Sequence, residues 1–333
     1  MLFLLAAWIA AALVLFAAGE VILRIGEPSL RMYNDRVMRQ SDDPEMISEL
    51  VPGGRGYLRG VFVEINSKGL RDREFAYAKP AGVRRIVGLG DSFTFGMGTE
   101  TGRVFLKALE RMLDRERPGR FQVLNMGVPG HNTASEFHYL KTEGVRYDPD
   151  VVIVCFTVND AQQSSETYAD HRFDSARSFV LEALRDIRNG SYLVTFLFSR
   201  WQYATLRLRS RYNDTDYHNA LYAPGRPGWE ACRRALGDLS AWCDRRGARC
   251  LLVLFPFMTD LDDRYPFAGI HAKVAAEARA RGLPVLDLFE SFRGRRATDL
   301  WVSLMDSHPN ARAHDIAARA VFEHLEKSGV LDE

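Results

Sequence analysis

Gly90-Asp91-Ser92-Phe93-Thr94-Phe95-Gly96 is the stretch whose reading decides the fold. Before it, Arg85-Ile86-Val87-Gly88-Leu89 is apolar enough to read as a short buried strand. After it, Phe105, Leu109 and Met112 fall on one face of a helix. Strand, glycine turn and helix place Ser92 just past a strand's carboxyl end, where open α/β sheets bind their ligands. Glycine suits the turn because it carries no Cβ to clash.

Working outward, the same rhythm recurs. Phe121 to Leu124 leads into Asn125-Met126-Gly127-Val128-Pro129-Gly130, and Val151 to Phe156 leads into Thr157-Val158-Asn159-Asp160. Strands are expected near 84–89, 121–125, 150–156, 250–255 and 284–288, with helices between them, which implies a parallel sheet covered on both faces. Thr133 and Glu136 have capping-box spacing, and Gly144 suits that helix's end. The last helix starts after Pro309-Asn310 and buries Ile316, Ala320 and Leu325.

A serine is a poor nucleophile alone and needs a base, an orienting acid and oxyanion donors. Asp306-Ser307-His308-Pro309-Asn310 offers an imidazole with a carboxylate two residues upstream. Gly127 offers a backbone N–H and Asn159 a side-chain amide, both at predicted strand ends. Each residue also has a plainer reading: Ser92 and Asp91 as a helix cap, Gly127 and Gly130 as turn glycines, Asn159-Asp160 as an Asx turn. His131 reads as a cleft-lining or surface residue, and His314 as one that caps or packs within the last helix.

These four blocks, in this order, resemble the SGNH hydrolase superfamily, the GDSL esterases and lipases, over roughly residues 84–328. The resemblance implies an α/β fold, a three-layer α/β/α sandwich with a flavodoxin-like five-stranded parallel sheet. It implies a serine esterase acting on O-acetyl or other short acyl esters, with Ser92, His308 and Asp306 as catalytic residues and Ser92, Gly127 and Asn159 as the oxyanion hole. No cofactor and no metal are expected. One departure is that Ser307 alone separates acid from base, where many members have two residues. Rival readings are an O-acyltransferase acting on cell-surface polysaccharide, a lipase acting on membrane lipid, and a non-catalytic carbohydrate-binding protein. The expected partner is an ester-bearing small molecule, glycan or lipid.

The composition, 47% apolar and 26% charged over 333 residues, fits one sizeable folded domain with additions. A net charge of +1 and the lack of a nucleic-acid motif argue against nucleic acid as a partner. Leu2 to Leu23 is nearly all apolar and long enough to cross a hydrocarbon core. A membrane anchor is the preferred reading; a cleaved signal peptide and a buried core helix are its competitors. Arg24, Arg31, Arg36 and Arg39 would keep that flank cytoplasmic by the positive-inside rule. Anchored members of the resembled family work outside the cytoplasmic membrane, so an extracytoplasmic catalytic domain is expected instead.

The expected division is residues 1–24 as anchor or signal segment, 25–80 as linker and edge segment, and 81–330 as hydrolase domain. Within 25–80, residues 25–52 read as irregular, and Val61 to Asn66 as a strand or hairpin turned by Asn66-Ser67-Lys68-Gly69. A helical insertion is expected at about 161–225, in which Tyr192 to Phe198, Trp201 and Tyr203 stand among Arg200, Arg207, Arg209 and Arg211. That mixture suits a membrane interface or a helical roof over the sheet. Cys155, Cys232, Cys243 and Cys250 form no C-x-x-C pair and read as buried free thiols.

Overall fold

The computed structural model describes residues 2–26, 36–162, 190–197, 200–201, 212–303 and 306–331. Helix α1 (Leu2–Gly26) comes first. Two small antiparallel pairs follow, β1 (Met38–Gln40) with β2 (Ser48–Leu50) and β3 (Arg55–Leu58) with β4 (Val61–Glu64). The main sheet is β5 (Arg84–Gly90), β6 (Phe121–Gly127), β7 (Val151–Phe156), β8 (Arg249–Leu254) and β9 (Val285–Asp287). All five are parallel, in the spatial order β6-β5-β7-β8-β9. A last antiparallel pair, β10 (Trp301–Ser303) and β11 (Asp306–Pro309), stands beyond the sheet.

The sheet's helices are α2 (Ser92–Phe95), α3 (Phe105–Glu116), α4 (Thr133–Thr142), α5 (Tyr212–Leu221), α6 (Pro227–Arg246), α7 (Ala268–Ala280) and α8 (Ala311–Lys327). Helices α3 and α8 pack together on one side, while α4, α6 and α7 pack together on the other. The central strands are accordingly apolar on both faces: Ile86, Val87, Leu89, Leu124, Ile153 and Leu252 are fully buried. Helix α3 turns Phe105, Leu106, Leu109 and Leu113 inward, each worth roughly 1.5–3 kcal/mol of burial, while Met112 stays at the rim. This is the expected three-layer α/β/α sandwich.

The chain enters the sheet at β5, steps to β6 on one side, and returns to β7 on the other. That reversal opens a crevice at the carboxyl ends of β5 and β7, and it is where Ser92 and Asn159 lie.

Local detail departs from expectation in several places. The capping box of α4 is built by Asn132, whose side chain accepts from Ser135 N while Ser135 Oγ accepts from Asn132 N. Thr133, one residue later, instead donates its hydroxyl to Asp160 Oδ2 at 3.0 Å. The helix stops at Thr142, and Gly144 opens a 3-10 turn. Residues 38–50, expected to be irregular, hold the β1–β2 pair. The second hairpin turns at Arg59-Gly60, not at Asn66–Gly69; Asn66 Oδ1 instead accepts from Lys68 N and Leu70 N in a separate turn. Of the expected insertion, residues 163–189, 198–199 and 202–211, with Tyr203, Arg207, Arg209 and Arg211, lie outside the described residues.

Helix α1 is long and apolar enough to cross a membrane and buries none of its apolar span against the rest of the chain. Polar contacts from Glu20 and Arg24 join it to the segment 190–197. Glu20 accepts from Tyr192 N (3.0 Å), Leu193 N (2.9 Å) and Ser191 Oγ (2.8 Å), which caps the amino end of the helical turns at 192–197. Gly19 lies against Leu193, and Arg24 donates to Gly190 O at 2.9 Å.

Candidate active site

Asp91 closes β5 and caps α2: its Oδ1 accepts from Phe93 N at 2.8 Å. Ser92 is the first residue of that helix, so its own N–H has no intrahelical acceptor. Close approach fixes the turn. A Cβ on Gly90 would meet Thr94 Oγ1 at 2.0 Å, and one on Gly127 would meet Phe95 N at 2.3 Å, so β6 presses directly on the backbone of α2. Behind the turn, the fully buried Arg71 donates to Phe95 O (2.9 Å), Gly96 O (2.6 Å) and Thr99 O (2.5 Å). These bonds serve carbonyls at the carboxyl end of the short helix, where intrahelical donors run out; Gly96 O also accepts from Thr99 N at 3.0 Å.

The β10–β11 pair brings the other end of the chain to the same place. His308 Nε2 lies 2.9 Å from Ser92 Oγ, and His308 Nδ1 lies 2.5 Å from Asp306 Oδ1. The same Oδ1 accepts the backbone N–H of His308 at 3.1 Å, a contact that a single intervening residue allows. The Asp306 side chain is 9% exposed. Burial alone would push its pKa up, but the His308 bond and charge, with Arg59 beside it, outweigh that and hold the carboxyl down at about 2. Asp306 is therefore a carboxylate throughout the neutral range.

Asn159 lies across the crevice. Its Nδ2 donates to Asp91 Oδ2 at 3.2 Å, which leaves its second amide proton for a ligand. Thr157 Oγ1 is 2.5 Å from Asn159 Oδ1, 3.0 Å from Asp91 Oδ2 and 3.1 Å from Asp160 Oδ1. A hydroxyl has one proton to give. With Asn159 accepting it, each of the two carboxyl contacts is a hydrogen bond only where that carboxyl carries a proton of its own. Burial raises the pKa of Asp91, and burial with neighbouring carboxyls raises those of Asp160 and Glu136 well above the usual range. Both Glu136 oxygens lack a hydrogen-bond partner among the described residues, and burial without one favours the neutral acid.

Gly127 departs from its expected role. Its N–H donates to Asn125 Oδ1 at 2.9 Å and is spent there. Three residues on, Pro129-Gly130 forms the centre of a turn closed by His131 N–H to Val128 O, with Gly130 at φ 85°. In such a turn the N–H of the third residue points away from the closing bond. Gly130 was read only as a turn glycine. His131 is also corrected: it is buried, with Nε2 2.8 Å from Ser48 O, and burial lowers its pKa to about 4. It ties β2 to the loop after β6 and is no surface residue. His314 packs as expected, stacked on Phe105, with its pKa lowered by burial to about 3.

A cavity of 530 Å³ opens over this cluster, lined by Ser92, Asn159 and His308 on its floor and by Phe257, Phe267 and Trp301 on its walls. Trp301 Nε1 donates to Met258 O at 2.6 Å, which fixes the wall to β10. A hydroxyl bonded to an imidazole whose other nitrogen meets a carboxylate is an arrangement suited to acyl transfer.

The sequence profile of the GDSL-like lipase/acylhydrolase family matches residues 89–316, about two thirds of the chain. The chain belongs to that family. It is an ester-hydrolysing enzyme of the GDSL, or SGNH, type. No curated protein matches it in sequence. Among solved structures it is similar to TesA, at 15% identity and a TM-score of 0.44 over 73% of this chain and 99% of that one. It is also similar to a catalytic mutant of Axe2, an acetylxylan esterase from Geobacillus stearothermophilus, at 13% identity and a TM-score of 0.46 over 74% and 96%. A two-domain esterase active on acetylated mannans shares 17% identity at a TM-score of 0.46, over 76% of this GDSL-family chain and 51% of the esterase.

Proposed function

We propose that this chain hydrolyses short-acyl carboxylic esters, O-acetyl esters above all, through a covalent serine ester. His308 takes the Ser92 proton as Oγ attacks the ester carbonyl, and returns a proton to the leaving alkoxide. Asp306 holds the ring by accepting from Nδ1 and stabilises the imidazolium. The Ser92 N–H and the second amide proton of Asn159 stabilise the oxyanion. Water then attacks the acyl-enzyme by the reverse proton path.

The observation that carries this reading is the Ser92–His308–Asp306 chain of contacts at 2.9 and 2.5 Å. Aromatic walls together with Asp260 in the cavity suit an acyl group borne on a polar alcohol better than a long alkyl chain. The test is hydrolysis of p-nitrophenyl acetate and p-nitrophenyl palmitate by the wild type and by its Ser92→Ala and His308→Ala variants. Wild type cleaves acetate faster, and both variants lose at least about a thousandfold in kcat. Equal activity in Ser92→Ala would overturn the mechanism, and preference for palmitate would overturn the substrate class.

The reading extends to location: α1 is retained as a membrane anchor, with the hydrolase domain outside the cytoplasmic membrane. Retention is supported by the Glu20 cap on the 192–197 turns, because a segment removed in processing has no need of a specific dock. Protease accessibility of the domain in intact cells against lysed cells tests its side.

A further inference from the structure

The β3–β4 hairpin is joined by two residues, Arg59 and Gly60, with φ of 50° and 86°. A two-residue turn with both central φ positive favours Asn-Gly, because a long side chain is strained in the left-handed region. Arginine is a poor choice for that position on backbone grounds alone. Its side chain explains the choice: Arg59 Nη1 donates to Asp306 Oδ2 at 2.9 Å, across 247 residues of sequence. The Asp306 side chain is 9% exposed and that of Arg59 24%, so the pair is partly shielded from water. The bond completes the carboxylate, whose Oδ1 is taken by His308 and whose Oδ2 has Arg59. A strained residue held in place beside reacting groups is the pattern from which a functional role is inferred.

We propose that Arg59 is a positioning residue for the hydrolysis, holding Asp306 in the rotamer that orients His308 toward Ser92. This rests on the Ser92–His308–Asp306 reading above. The guanidinium fixes one oxygen of Asp306, so the other stays aimed at Nδ1 during both proton transfers. Without it the carboxylate is free to rotate away or to take up water. The hairpin, which precedes the matched family region, thus supplies part of the catalytic apparatus.

The test compares full-length wild type with Arg59→Asn, Arg59→Lys and Ser92→Ala, using two readouts: p-nitrophenyl acetate kinetics and the rate of Ser92 labelling by a fluorophosphonate. Asparagine suits the left-handed turn, so Arg59→Asn keeps or raises Tm while removing the charge. Losing one charge-assisted bond slows kcat and labelling by about ten- to a hundredfold, with KM within about twofold. Arg59→Lys recovers part of the loss. If Arg59→Asn labels and turns over at the wild-type rate, or if lysine does no better than asparagine, the positioning role is wrong. If the wild type is not labelled, or Ser92→Ala labels equally, the failure lies in the underlying serine reading instead.

Discussion

At Asn159, one amide proton is committed to Asp91, and the proposed oxyanion bond falls to the other. Asn159→Ala should therefore lower kcat on p-nitrophenyl acetate about a hundredfold with little change in KM; a rise in KM alone would show a binding role only. Gly127→Ala should behave differently. Its new Cβ would press on Phe95 N, so the loss appears in thermal stability, read by melting, before it appears in the rate of the folded fraction. Ser92, Asn159, Asp306 and His308 were legible because each sits in a short local pattern next to a strand end or helix start. That the Gly127 N–H is taken was not legible, because it depends on where the Asn125 side chain turns. Arg59 was hidden for a different reason: its partner is 247 residues away, and no local pattern announces it.

The five main strands were legible because each is a continuous apolar run, the mark of a strand buried on both faces. The hairpin turn was not, because Arg59 breaks the residue preference by which such turns are found. Helix α4 carries a further consequence. Folding takes up protons at Glu136 and Asp160, whose folded pKa values lie above their unfolded ones. The stability they contribute is whole below the ordinary carboxyl pKa and is lost as pH rises through the raised values. Tm of the wild type should thus fall as pH rises above the ordinary carboxyl range, and Glu136→Gln should flatten that slope. Parallel slopes for the two proteins would show that Glu136 is ionised in the fold. At α2, Arg71→Met takes the guanidinium from the carbonyls of Phe95, Gly96 and Thr99, of which Gly96 O keeps only the Thr99 N–H, and urea unfolding should register a loss of about 3 kcal/mol or more.

Across the whole molecule, α1 and the hydrolase domain make separate contributions. A chain lacking residues 1–26 should keep its kcat on p-nitrophenyl acetate while losing sedimentation with lipid vesicles, since α1 carries the one described span apolar enough to enter a bilayer. Loss of both together would mean that α1 is part of the domain's core. Residues 53–80 are a different case: Arg59 reaches Asp306 and Arg71 braces the backbone behind the Ser92 turn, so two guanidinium groups from ahead of the sheet support the site. The inheritance of this enzyme is constrained accordingly. A recombination that joined a relative's first eighty residues to this sheet would preserve all five main strands and all four sequence blocks, yet break the match between a turn and a carboxylate 247 residues apart. Those two positions are expected to change together or not at all.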